Sequence, residues 1–243
     1  MIKGEMMRKI LITNDDGIEA DGIIRLASAA KEFGQVWVVA PDSQRSAMSH
    51  SITLRHSFDA WEVEFPVEGV HAFACTGTPA DCVRIGVRNI VPGGPDVAFS
   101  GINLGYNAST DIQYSATAGA AFEAQFQGLH SIAFSEGFEK NHSVTDKYLS
   151  QIIEELIDSP LGEKEIWNVN FPTCELKECK GILRDRVVSG DRYYDDEYVE
   201  TPNTDGTISY MVKGFLQKNF TKGSDLEAVF NNYISIGKAR NIT

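Results

Sequence analysis

Five short segments carry apolar residues with almost no interruption: KILIT (9–13), VWVVA (36–40), DVAFSG (96–101), SIAFS (131–135) and WNVNF (167–171). A strand with one wet face alternates polar and apolar residues. Runs that are apolar at nearly every position have neither face in water, the situation of a parallel sheet covered by helices on both sides. The intervening segments supply the helices. After Asp21, predicted as a cap, Ile24, Ala27, Ala30 and Phe33 recur at helical spacing until Gly34. In GTPADCVRIG (77–86), Thr78 is placed to cap a helix, Pro79 suits its first position, and Asp81 is the acidic residue three places on. ATAGAAFEAQF (116–126) reads as a third helix, and Tyr148, Leu149, Ile152, Ile153, Leu156 and Ile157 form the stripe of a fourth. This alternation predicts an α/β fold, a doubly wound and mostly parallel sheet with right-handed crossovers.

Two stretches break the pattern. Trp61, Val63 and Phe65 alternate with Glu62 and Glu64, as in a strand wet on one face, and read as an insertion. From residue 179 onward the chain becomes polar and aromatic. GDRYYDDEYVETPNTDGTISY (190–210) is predicted to form a hairpin or arm, followed by the helical SDLEAVF (224–230) and the strand-like YISI (233–236). The expected division is therefore a catalytic core over residues 1–178 and an appendage over 179–243 that serves oligomerisation.

The 243 residues carry 22 Lys+Arg and 34 Asp+Glu, a net charge of −12, which argues against long nucleic acids and anionic membranes as partners. No run approaches the ~18 apolar residues of a membrane-spanning helix. The amino terminus lacks the apolar core and cleavage site of a signal peptide, giving a cytoplasmic expectation. Cys75, Cys82, Cys174 and Cys179 show no metal-binding spacing and read as reduced structural thiols.

Chemistry is expected at the carboxyl end of the first strand, because ligands of open α/β sheets collect in crevices outside those ends. There Asp15 and Asp16 stand side by side. Adjacent anions in a partly dry site repel, and a divalent cation relieves the conflict; oxygen donors favour Mg²⁺, Mn²⁺ or Ca²⁺. The same NDDG is also an ordinary turn composition. Two further loops follow strand ends. In APDSQRSAMSH (40–50), Ser46 offers a hydroxyl to a metal, Arg45 can anchor an anion, and His50 is either an acid/base or a surface cap. In SGINLGYN (100–107), Asn103 offers an amide oxygen, Gly101 and Gly105 allow close backbone approach to phosphate, and Asn107 can donate to it. Ser115 and Thr117 in YSATAGA (114–120) sit where a helix begins, suited either to capping or to cradling an oxyanion.

Taken in order and spacing, TNDDG (13–17), VVAPDSQRSAMSHSIT (38–53), GTPADCVRIG (77–86), SGINLGYN (100–107), YSATAGAAFEA (114–124) and NVNFP (168–172) closely resemble the SurE family of stationary-phase survival nucleotidases. The resemblance implies a Rossmann-like, metal-dependent phosphomonoesterase acting on nucleoside monophosphates, a 5′-nucleotidase with the 3′ position left open. It further implies one divalent ion per subunit, Mg²⁺ or Mn²⁺, and a homodimer or homotetramer built partly through an exchanged C-terminal arm. Carried over residue by residue, the metal ligands fall on Asp15, Asp16, Ser46 and Asn103. Ala116 stands where the family's segment usually has glycine, Asn232 stands for a glycine before the closing strand, and GKA (237–239) replaces TPL.

The expected mechanism has the ion position a water for attack on phosphorus, with Asn107, Ser115, Thr117 and backbone amides stabilising the equatorial oxygens. Two other readings compete: an aspartyl-phosphate phosphatase using Asp15 or Asp16 as nucleophile, and a non-catalytic nucleotide-binding module. A signalling receiver domain fits less well, because DVAFSGIN ends its strand in Ser100 and not in an aspartate.

Overall fold

The structure is a computed structural model that describes residues 7–139, 141–217 and 220–242. Six parallel strands form its centre: β1 (Lys9–Thr13), β2 (Gln35–Pro41), β4 (His71–Cys75), β5 (Val97–Leu104), β6 (His130–Glu136) and β7 (Glu165–Phe171). β3 (Ala60–Val63) adds an antiparallel edge to β4. The sheet order is β3-β4-β2-β1-β5-β6-β7-β11-β8, with β8 (Ile182–Arg186) and β11 (Ile234–Arg240) beyond β7.

The continuously apolar strands are indeed buried on both faces. Ile10 and Ile12 face one core with Ile23, Leu26 and Ala27 of α1 (Asp21–Ala30) and Leu149, Ile152 and Ile153 of α4 (Ser143–Leu156). Leu11, one step out of phase, faces the opposite core with Cys82 and Val83 of α2 (Pro79–Ile85) and Ala120 and Ala124 of α3 (Ala116–Phe126). The period of two along β1 thus explains why helices are needed on each side. Among the described residues no helix is long and apolar enough to cross a membrane.

Local signals held unevenly. Thr78 and Asp81 form the expected reciprocal cap of α2. Asp21, expected as a cap, is instead the first helical residue of α1, with Ala20 at the cap position and no side-chain bond; the acidic side chain still complements the helix dipole there. α1 ends at Ala30, so Phe33 lies in the following turn.

Residues 179–243 do not stand apart as one piece. β11 pairs antiparallel with β7, β8 pairs parallel with β11, and α5 (Asp225–Phe230) packs against them. Asn232, in place of a glycine, has φ +64°, a left-handed conformation that asparagine tolerates better than most residues. The piece that departs from the sheet is the hairpin of β9 (Tyr194–Pro202) and β10 (Ile208–Leu216), whose strands, among the described residues, pair only with each other. Its base is tied down by Asp225, whose buried carboxylate accepts N–H groups of Ser109 (2.9 Å), Ser189 (3.1 Å) and Leu226 (2.8 Å).

Candidate active site

The strand order reverses between β1 and β5: the chain runs from β1 toward β2 on one side and from β5 toward β6 and β7 on the other. The crevice above this switch point is where an open α/β sheet receives its ligand. Asp15 and Asp16 follow β1 directly into it, and Asn14 closes the turn by bonding both the N–H and the carbonyl of Gly17.

Three other connections reach these aspartates. From the loop after β2, Arg45 N–H donates to the Asp15 carbonyl at 2.7 Å, and the Gln44 amide donates to both Ser46 Oγ (3.0 Å) and Asp16 Oδ1 (3.4 Å). From the end of β5, Leu104 N–H donates to Asp16 Oδ2 at 3.1 Å, next to Asn103. From α3, Thr117 Oγ1 donates to Asp15 Oδ1 at 2.5 Å. Asn103 is not in a loop as the Gly/Asn content suggested: β5 continues to Leu104, with its register against β6 shifting between Ser100 and Asn103. The Asn103 amide N–H₂ donates to the Gly105 carbonyl at 2.7 Å, which orients its side-chain oxygen by default.

Other expected site residues are drawn into different work. Asn107 is buried and its N–H₂ donates to Ser135 Oγ at 2.7 Å, while its backbone is gripped by Asn168 and Asn170 of β7. Ser115 Oγ caps α3 by accepting Ala118 N–H at 2.9 Å. His50 pairs with the buried Glu123 of α3 at 2.8 Å, so it fastens the Ser46 loop to the helix. A Cβ on Gly101, at φ +135°, would lie 2.3 Å from the Phe134 carbonyl oxygen, so this glycine is required by the approach of β6 and not by a phosphate. The sequence reading passed over Gln44, Asn168 and Asn170. Two asparagines two apart inside a buried strand, WNVNF, were the available signal, since buried amides must find partners.

The electrostatics of the pair are one-sided. Burial pushes the Asp15 carboxyl up to about 6, with the Thr117 hydrogen bond opposing and the neighbouring Asp16 charge adding to the rise. Asp16 is likewise raised, by burial, against the Leu104 and Gln44 bonds that favour its charged form. Neither carboxylate has a cationic side chain as partner among the described residues. Two carboxylates, a hydroxyl and an amide oxygen make a hard donor set suited to Mg²⁺ or Mn²⁺. No group of three or more His, Cys, Asp or Glu placed so that it could hold a metal ion occurs among the described residues.

The family profile described as survival protein SurE matches residues 10–194. This chain belongs to the SurE family. The 5′-nucleotidase SurE of Alkaliphilus metalliredigens is 39% identical over 238 residues, covering 94% of this chain and 91% of its own. That of Clostridium botulinum (strain ATCC 19397 / Type A) is 36% identical over 231 residues, covering 93% and 90%. The crystal structure of the SurE protein from Aquifex aeolicus superposes with a TM-score of 0.82 at 32% identity, over 97% of this chain and 94% of that one. The SurE fold is thus the α/β architecture described above, with its sheet mostly parallel.

Proposed function

We propose that this SurE chain is a 5′-nucleotidase that hydrolyses nucleoside monophosphates to nucleoside and inorganic phosphate at the β1/β5 crevice. The observation that carries the reading is the convergence of the loop after β2, the end of β5 and the start of α3 on Asp15 and Asp16. The relatives named 5′-nucleotidase SurE support the substrate class.

Asp15, Asp16, Ser46 and Asn103 would hold one Mg²⁺ or Mn²⁺ ion, which supplies Lewis-acid stabilisation of the phosphate and a bound water as nucleophile. The protein's own residues prepare that site. Thr117 fixes one oxygen of Asp15, while Gln44 and the Leu104 N–H hold opposite oxygens of Asp16, so both carboxylates are oriented before substrate arrives. Ser115 keeps the first turn of α3, which carries Thr117, formed by capping it with its side-chain oxygen. Asn107 acts as an anchor, holding the loop after β5 to β6 and β7.

The hairpin, with exposed Tyr198, Val199, Tyr210, Met211 and Val212, would be the arm of a homodimer or homotetramer. A cytoplasmic address goes with this reading. Phosphate release from AMP and GMP with Mn²⁺ or Mg²⁺ tests it. Activity is expected to vanish with EDTA and to fall at least about a hundredfold in Asp16→Asn; undiminished turnover in either case rejects the metal role.

A further inference from the structure

The loop that carries Ser46 is tied down by the same helix that holds Asp15. Upstream of Ser46, the Arg45 N–H donates to the Asp15 carbonyl at 2.7 Å. Downstream, the Ser49 N–H donates to the Tyr114 carbonyl at 2.9 Å and its hydroxyl to the Gln113 carbonyl at 2.7 Å, just before α3 begins. A Cβ on Gly119 would lie 2.7 Å from the Ser49 carbonyl oxygen and 2.9 Å from His50 Cα, so loop and helix meet backbone to backbone. Residues 46–49 themselves are exposed, and among the described residues the Ser46 hydroxyl meets only the Gln44 amide. The anchors on either side therefore decide where Ser46 sits.

His50 is the charge-assisted anchor among them. Its Nε2 lies 2.8 Å from Oε2 of Glu123, a buried carboxylate in the body of α3. Asn241 offers an N–H to Nδ1 at 3.4 Å, which leaves Nε2 as the nitrogen that donates. The His50 ring also rests on Phe126, with centroids 5.4 Å apart. Glu123 is prepared to receive it, because its Oε1 accepts the Gln127 amide at 2.7 Å and faces Arg84 of α2 at 3.5 Å. Burial pushes the Glu123 carboxyl up, but the bonds from His50 and Gln127 and the Arg84 charge outweigh it and hold it below the usual carboxylate range. One rigid helix thus fixes an oxygen of Asp15 through Thr117 and the Ser46 loop through Glu123.

We propose that His50, seated on Glu123, is a positioning residue that sets the divalent-cation affinity of the crevice by holding Ser46 beside Asp15 and Asp16. The proposal rests on the nucleotidase reading for the metal and for Ser46 as a ligand. Its test measures Mn²⁺ binding to the folded protein, from the electron paramagnetic resonance signal of the free ion, in the wild type, Ser46→Ala, His50→Ala and the combined Ser46→Ala/His50→Ala variant. His50→Ala is expected to weaken Mn²⁺ binding about tenfold, the low end of what losing a group behind a metal ligand costs. In the Ser46→Ala background the same change should add nothing, because the ligand it positions is gone. A role confined to general packing would weaken binding equally in both backgrounds. His50→Gln, which places an amide nitrogen near the former Nε2, should restore most of the affinity; His50→Asn, too short to reach Glu123, should not. That polar pair carries the comparison if the alanine variant does not fold. Unchanged Mn²⁺ affinity in His50→Ala or His50→Asn, or an equal loss in the Ser46→Ala background, overturns the proposal while leaving the metal reading intact. A wild type that binds no Mn²⁺ at millimolar concentration, or binds it equally well after Ser46→Ala, rejects the metal reading and the proposal together.

Discussion

The crevice at the β1/β5 switch point and the β9–β10 hairpin are opposite uses of one chain. In the crevice, polar side chains are committed to one another: Asp15 to Thr117, Asp16 to Leu104 and Gln44, Asn107 to Ser135, His50 to Glu123. In the hairpin, Tyr198, Val199, Tyr210, Met211 and Val212 turn apolar surface to water, and among the described residues the two strands pair only with each other. An isolated two-stranded ribbon is marginal in water. The difference teaches that the first region carries its own order, whereas the second leaves its apolar surface open to water. The same kind of substitution should therefore act very differently in the two places.

The largest difference is expected between two glycines. Gly101→Ala forces a Cβ to within 2.3 Å of the Phe134 carbonyl at φ +135° and should cost about 3 kcal/mol or more, lowering the melting temperature by at least roughly 6 °C. Gly206→Ala, at φ +85° with no atom within 4 Å of the added carbon, carries only the left-handed backbone penalty of about 1 to 2 kcal/mol. Thermal unfolding of both variants measures the contrast, and equal losses would erase it.

Asp225 tests the junction between the two regions. Burial pushes its carboxyl up, opposed by the backbone N–H groups of Ser109, Ser189 and Leu226. Asp225→Asn retains one acceptor oxygen and turns an N–H₂ toward a backbone N–H, so a loss of about 2 kcal/mol is expected, or roughly 4 to 8 °C. The raised carboxyl fixes the sign of the pH effect. The folded protein binds the proton more tightly than the unfolded chain, so this group contributes most at acid pH, and its contribution falls as pH rises through the folded value. The gap between wild type and Asp225→Asn should therefore narrow from acid to neutral pH, and a widening gap contradicts the assignment.

Thr117→Val sharpens the comparison inside the crevice. The substitution keeps volume and removes the hydroxyl that donates to Asp15 Oδ1 at 2.5 Å. About a tenfold fall in kcat/KM for AMP is expected, equal to ~1.4 kcal/mol, with Thr117→Ser restoring most of it. A valine variant with full activity would reduce Thr117 to a packing residue.

Much of this division is legible in the sequence, for definite physical reasons. The doubly buried strands announce themselves because burial on both faces leaves no room for alternation, and β1 with its Ile10/Leu11/Ile12 faces is the clearest case. The acidic pair was legible because it directly follows such a strand. The edge of the sheet was not. β8 reads ILRDR and β11 reads ISIGKAR, so charged residues interrupt the apolar signal, and the pairing of β11 with β7 on one side and with β8 on the other joins segments far apart in the chain. Nor does local spacing show that Asn107 faces Ser135 and the β7 asparagines, or that Tyr106 shares a cavity with Phe230. Those contacts join segments far apart in the chain, and their residue types serve equally in turns and cores.

The smallest effect on stability is expected in the hairpin, and it is the most informative about its purpose. Met211 and Val199 are opposite one another in the β9–β10 register, and both are exposed. Replacing Met211 with Glu removes apolar surface without opening a cavity, so folding stability should change by no more than about 0.5 kcal/mol. If the hairpin is the arm of an oligomer, the same charge becomes desolvated at the interface, a cost that burial of an unpaired carboxylate makes severe. Light scattering should then show the Met211→Glu protein at a smaller mass than the wild type, with circular dichroism at low concentration unchanged. Equal masses would leave the apolar ribbon without that role. A large drop in melting temperature for a protein already monomeric would instead mean that the hairpin folds back onto its own subunit in solution.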